Sequence, residues 1–201
     1  MNNDFYYYTI EKKSMAEFKE KGSRFIACAY PISHIHEVKK YLQEFKREHL
    51  KAVHCCFAYR LGLDGNTFRV SDDGEPNGTA GKPILNVIDS KQVTNVLVIV
   101  VRYFGGTLLG VPGLINAYKS ATAMAFQVVP IIQKPVELNY ELQFDYTKMN
   151  DVMTLLKQYN CTIINQETQL FNIIQTAIQK ARLTEVLCKL KDLHTVEAKR
   201  F

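Results

Sequence analysis

Residues 95–118 read NVLVIVVRYFGGTLLGVPGLINAY, and the first half of the fold turns on this stretch. A strand with one wet face alternates apolar and polar residues, whereas residues 95–103 run on uninterrupted until Arg102. They therefore read as a strand buried on both faces. Gly105, Gly106, Gly110 and Gly113 then make a loop. Beyond it Leu114, Ala117, Tyr118, Ala121 and Ala125 recur at helical spacing, which predicts a helix through LINAYKSATAMAFQ.

Upstream, residues 5–10 and 24–32 are rich in β-branched and aromatic residues and read as strands, the second entered through a Lys-Gly-Ser turn at 21–23. Ser33 is the expected cap of a helix whose inward residues are Ile35, Val38, Leu42 and Phe45. Residues 52–61 read as a strand, and Asp64-Gly65 as a tight turn into residues 67–70. A short helix is expected from Pro83 to Ile88. Downstream, 136–144 alternates as a strand and 146–159 is helical, with Met149, Val152, Met153 and Leu156 on one face. Strands at 161–167 and 170–178, a helix at 183–193 and a strand at 195–199 complete the order βαββαβ. That order is the split βαβ, or ferredoxin-like, arrangement, so the fold class expected is α+β.

The 201 residues are 47% hydrophobic, enough for a packed core and not for a disordered tail. Residues 1–134 carry 17 Lys plus Arg against 12 Asp plus Glu, and residues 135–201 carry 8 of each, so the net charge of +5 lies in the first part. All ten glycines lie there as well. Two domains, 1–134 and 135–201, are the simplest division, with the junction near VVPIIQKPVELN, where Pro130 and Pro135 limit helical continuation. Five cysteines without a CxxC motif exclude a disulfide framework and a zinc ribbon, and point to a reducing, cytoplasmic compartment. The start MNNDFYYYTIEKK lacks the apolar segment of a secretion signal, and no apolar run approaches the ~20 residues that span a bilayer.

Three segments carry candidate chemistry. SDDGEPNGTAGKPIL, residues 71–85, sets Asp72, Asp73 and Glu75 among Gly74, Gly78 and Gly81. Clustered carboxylates suit a hard cation, and the same residues suit an acidic turn that bonds its own backbone and caps the next helix. A contact surface for protein or nucleic acid is the third reading, and no GxxxxGK[ST] sequence cradles a triphosphate. The loop after Arg102 and Tyr103 can offer backbone N–H groups to an anion, but GGTLLGVPG is not GxGxxG, which excludes a dinucleotide fingerprint. In AVHCCFAYRLG, residues 52–62, strand alternation puts His54, Cys56, Ala58 and Arg60 on one face. A Cys56–His54 nucleophile pair is conceivable, whereas a polar face opposite the core is simpler, its Arg60 joining Arg24 and Arg102 in one basic strip. His34, His36, His49 and His194 lack ligand spacing, and Tyr6–Tyr8 read as an edge strand with aromatic packing, the alternative being base stacking.

The pattern DDGEP-x-GTAG-x-PIL, here residues 72–85, resembles the YigZ/IMPACT family, as do VVVRYFGG near residues 98–106, LG-x-x-GL at 109–114, KGSRFIA at 21–27 and A-x-H-x-C-x-AYR at 52–60. Together they cover roughly residues 20–120 and are highly specific. Pro112 replaces a usual Gly, and Asn116 stands where a basic residue is common. The resemblance implies an N-terminal ribosomal-protein-type domain like domain four of elongation factor G, followed by a small ferredoxin-like domain. Eukaryotic relatives regulate translation through a protein partner. It further implies a cytoplasmic, non-enzymatic protein, without cofactor, that contacts RNA, the ribosome or a translation-regulating protein. The binding residues expected are Arg24, His54, Arg60, Asp72, Asp73, Glu75, Gly78, Thr79, Gly81, Arg102, Tyr103, Gly105 and Gly106. The alternatives are a metal-assisted hydrolase using Asp72, Asp73 and Glu75 and a pure protein-interaction module.

Overall fold

The structure is a computed structural model that describes residues 4–168 and 171–201. The fold is α+β and divides into two compact units, Tyr8–Gln133 and Lys134–Phe201, the latter with the residues through Tyr7.

In the larger unit, β2 (Ser14–Glu20), β3 (Ser23–Pro31), β4 (His54–Leu61), β5 (Thr67–Ser71) and β6 (Val96–Tyr103) form one sheet in the order β2-β3-β6-β4-β5. Every neighbouring pair is antiparallel. The central strand β6 explains the uninterrupted apolar run. Val96, Val98 and Val100 pack on the side of α2 (Gly81–Ser90) and α3 (Gly110–Gln127). Leu97, Ile99 and Val101 pack on the side of α1 (Ile35–Glu48). All six are 0% exposed, and at about 1.5–3 kcal/mol for each buried aliphatic side chain this strand dominates the core. The α3 stripe is inward as expected, with Leu114, Ala117, Tyr118, Ala121 and Ala125 buried.

Three local readings change. Strand β2 gives a weak sequence signal because, of its inward residues, Ser14 and Ala16 are small and Phe18 alone is large and apolar; Ser14 Oγ donates to the Ala125 carbonyl at 2.8 Å. Ser33 does not cap α1. His34 occupies that position, and the Glu37 carboxylate accepts the N–H groups of Ser33 (2.6 Å) and His34 (2.7 Å). Ile35 then falls in the first turn on the solvent side, 60% exposed, while Val38 and Phe45 stay buried.

The smaller unit holds β8 (Glu137–Phe144), α4 (Met149–Gln158), β9 (Thr162–Thr168), β10 (Asn172–Gln179), α5 (Leu183–Asp192) and β11 (Val196–Arg200). Its antiparallel sheet runs β11-β8-β10-β9. Leu142, Phe144, Ile174 and Ile178 pack against Val152, Leu156, Val186 and Leu190. The expected strand start at Leu170 lies outside the described residues. Between the two prolines of the expected junction the chain forms β7 (Ile131–Pro135), which pairs with β1 (Tyr6–Ile10).

Register places the site. Arg24 lies opposite Tyr103 and His54 opposite Arg102, so the 20–23 turn, the entry to β4 and the exit of β6 share one end of the larger sheet. Ser71, opposite Phe57, feeds the 72–80 loop toward that end.

Candidate binding site

The acidic loop is built from its own backbone outward. Asp72 Oδ1 accepts the N–H groups of Ala80 (3.0 Å) and Gly81 (2.8 Å), and Oδ2 that of Gly78 (2.8 Å). One carboxylate thus satisfies the loop and the start of α2, whose first N–H groups have no partner within the helix. Thr79, buried, donates its hydroxyl to the Pro76 carbonyl at 2.6 Å. Gly81 is required by space, since a Cβ there would stand 2.7 Å from the Ser71 nitrogen. Asp73, at φ 42°, accepts the Cys55 N–H at Oδ2 (2.8 Å) and is 3.4 Å from Lys46 Nζ. Its carbonyl accepts from His54 Nδ1 at 2.8 Å, which makes Nδ1 the protonated ring nitrogen.

Glu75 turns the other way, into the protein. Its side chain is 2% exposed. Arg102 donates to Oε1 and Oε2 at 2.8 and 3.1 Å, and the Tyr118 hydroxyl donates to Oε1 at 2.8 Å. His54 Nε2 stands 4.0 Å from the same oxygen. The Arg102 guanidinium lies between the rings of Phe25 and Phe104, 5.6 and 5.5 Å from their centroids. One carboxylate therefore ties the loop to β6 and to α3.

The three carboxylates do not converge: one caps a helix, one meets a strand N–H, and one enters the core. Among the described residues no group of three His, Cys, Asp or Glu side chains is placed to hold a metal.

Cys56 faces α3 rather than an open polar face. Its thiol donates to the Asp72 carbonyl at 2.9 Å and lies 3.4 Å from the Tyr118 hydroxyl. Burial pushes the thiol up; the Tyr118 contact opposes this, and the charges of Glu75, Asp73 and Asp72 add to it. Burial likewise pushes Cys55 up to about 11. Because the thiolate is the nucleophile, these environments oppose catalysis by the Cys56–His54 pair. In the native protein at pH 8, iodoacetamide should modify exposed Cys188 first and leave Cys28, Cys55 and Cys56, all buried, unmodified until urea unfolds the chain. Peptide mass mapping reads the order, and early labelling of Cys56 would contradict the geometry.

The expected basic strip is not assembled. Arg24, on the α1 side, stacks on Tyr103 at 4.6 Å and lies 3.7 Å from Glu17. Arg60, on the α2 side, bonds Asp89 at 2.8 Å and the Gly65 carbonyl. Arg60 is opposite Val96 and His54 opposite Arg102, which puts Arg60 six residues along the ladder from Arg102, about 20 Å at 3.3 Å per residue. Alternation and register, which spacing alone does not specify, separate the three. Likewise, His54, Cys56, Ala58 and Arg60 share a face as expected, but that face packs on α2 and α3 because the sheet is covered on both sides.

What reaches solvent at this end is different. Gly105 is pressed on the 21–23 turn: its N–H donates to Ser23 Oγ at 3.2 Å, and a Cβ on it would lie 1.9 Å from the Gly22 carbonyl carbon. Phe104 (49% exposed), next to Gly105, and Leu108 (84% exposed), three residues on, reach the surface. Lys21, which precedes the Gly22 packed on Gly105, is exposed, as are Arg47 in the last turn of α1 and Lys51 just after it, and among the described residues none of the three has an ion-pair partner. Gly106 is exposed at φ 85°, and α3 begins with no side-chain cap. Phe104 escaped sequence reasoning because nothing in its spacing marks it as exposed. Tyr118 was read only as a member of the inward stripe; the signal that could have found its role is that a buried phenol needs a hydrogen-bond partner.

Residues 21–126 match the model of the Impact N-terminal domain. The chain is 35% identical over 174 residues to the IMPACT family member YigZ of Escherichia coli, covering 86% of this chain and 85% of that protein. It is 31% identical over 152 residues to the IMPACT family member YvyE of Bacillus subtilis, covering 76% and 70%. It is 33% identical over 98 residues to Protein IMPACT of Rattus norvegicus, covering 47% of this chain and 31% of that protein. A crystal structure described as that of a hypothetical protein superposes with a TM-score of 0.79 at 30% identity, covering 98% of both chains.

Proposed function

Because the chain belongs to the IMPACT family, we propose that it is a cytoplasmic, translation-linked binding protein that engages the RNA of the ribosome through the loop end of its larger unit. The observation that carries this reading is electrostatic. Glu75 is paired with Arg102 and Asp73 with Lys46, so in the acidic loop Asp72, held on three backbone N–H groups, is the carboxylate left without a paired cation. Lys21, Arg47 and Lys51 keep their charges exposed. Such a surface attracts phosphate, and releasing counterions makes the attraction salt-dependent. The residues first expected to touch the ligand then divide by role. Glu75, His54, Arg102, Gly78, Thr79 and Gly81 shape the loop, while Arg24, Tyr103, Gly105 and Gly106 border the contact surface.

Two further features fit the reading. The smaller unit has the order and antiparallel sheet of a ferredoxin-like domain, and the larger would be the ribosomal-protein-type partner seen in elongation factor G. No described helix is long and apolar enough to cross a membrane.

The test is sedimentation of the purified protein with ribosomes through a sucrose cushion. Co-pelleting at 50 mM salt that falls at least tenfold by 200 mM is expected, since neutralising about three phosphates gives a salt slope near −2.7, about a fortyfold loss over that range. A Lys21→Glu/Lys51→Glu double variant should remain in the supernatant. Absence of pelleting at both salt concentrations would overturn the reading, and pelleting that ignores salt would assign the contact to ribosomal protein.

A further inference from the structure

We propose that the loop end is a single-strand platform, on which unpaired RNA bases stack against Phe104 and against the outer face of the Arg24 guanidinium. The proposal rests on the function proposed above and specifies the form of the nucleic acid.

Two flat groups are held at the surface here, each backed by a partner of complementary electrostatics. Phe104 is 49% exposed, and the buried Arg102 guanidinium lies 5.5 Å from its centroid. The cation withdraws no ring area from solvent on the outer side, and it cannot leave, because Glu75 holds it with two hydrogen bonds. Both bonds to Glu75 come from one Arg102 terminal nitrogen, and among the described residues the buried Arg102 Nε has no hydrogen-bond partner. On the other side of the same strand end, Arg24 stacks at 4.6 Å on Tyr103, whose own hydroxyl is 2.8 Å from His49 Nδ1. Arg24 keeps 44% of its side chain exposed, with Glu17 Oε2 3.7 Å from its Nε.

Tyr103, the last residue of β6, packs on the α1 side, whereas Phe104, just past the strand, lies against Arg102, which also meets Phe25 on the α2 and α3 side. A duplex offers only paired bases and rigid grooves and cannot place bases on two such planes. A single strand can splay its bases onto both, as aromatic rings and arginine planes receive them in single-strand recognition. Gly105 and Gly106, which follow Phe104 immediately, add no side chain of their own beside the ring. Exposed Lys21, in the turn whose Gly22 packs on Gly105, supplies backbone-tracking charge at this end.

Fluorescence anisotropy with a labelled 12-nucleotide oligouridylate and with a 12-base-pair RNA duplex tests the proposal at fixed low salt. The single strand should bind at least tenfold more tightly than the duplex. Phe104→Ala and Arg24→Ala should each weaken oligouridylate binding about tenfold, within the range a base–aromatic stack supplies, while Phe104→Tyr should keep it. Both variant sites are surface-exposed, and circular dichroism melting verifies that each variant is folded. Equal affinity for duplex and single strand, or wild-type affinity in both alanine variants, would overturn the proposal. Salt-sensitive ribosome pelleting together with no oligouridylate binding overturns the single-strand platform alone. Failure of both assays overturns the platform and the ribosome reading together.

Discussion

Glu75→Ala should lower the unfolding free energy by about 3–5 kcal/mol in urea, among the larger effects open to a single substitution in this chain. Arg102 has 7% of its side chain exposed, and Glu75 is the carboxylate it donates to. Truncating Glu75 strands a guanidinium among Phe25, Phe104 and the α3 face, and leaves the Tyr118 hydroxyl without its acceptor. The cost is that of an uncompensated buried charge rather than the worth of the pair. A double variant, Glu75→Ala/Arg102→Met, should therefore recover part of the loss. Urea melts of the two single variants and the double variant form the cycle that reads it. A double variant as destabilised as the sum of the singles would show that the two groups act independently.

Gly105→Ala comes second. A Cβ there would meet the Gly22 carbonyl carbon at 1.9 Å, its oxygen at 2.2 Å and the Ser23 nitrogen at 2.2 Å. These are backbone atoms, so no rotamer relieves the clash, and the 21–23 turn or the 104–106 loop has to move. Overpacking costs about 1–3 kcal/mol when side chains can yield, and the expected loss here is at or above the upper end. Gly106→Ala is the control. It meets nothing within 4 Å, and its φ of 85° leaves only the penalty of a left-handed conformation, about 1–2 kcal/mol. Thermal melting of the two variants compares them directly, and equal shifts would mean that the close approach of the two loops contributes nothing.

The elements were legible where side-chain pattern alone decides. The run at 96–101 had to be covered on both sides, and the α3 stripe had to face inward, because apolar periodicity reports burial directly. In the smaller unit the order βαββαβ followed from the same periodicities. Strand β2 was not legible, because Ser14 and Ala16 carry little apolar signal. The helix cap was misplaced by one residue because Glu37 satisfies the N–H groups from the far side of the first turn.

The candidate site divides along the same line. From the chain alone came the identity of the loop residues, the glycines that permit close approach, the positive balance of the first half and the family to which these motifs belong. Tertiary structure alone decided where each charge went: Asp72 to a helix start, Glu75 to Arg102 in the core, Arg60 to Asp89, and Arg24 to the face of Tyr103. The physical reason is range. Periodicity and turn chemistry act over a few residues, whereas the partners that neutralise a charge are set by strand register between segments 27 to 43 positions apart, as with Glu75, Arg102 and Tyr118.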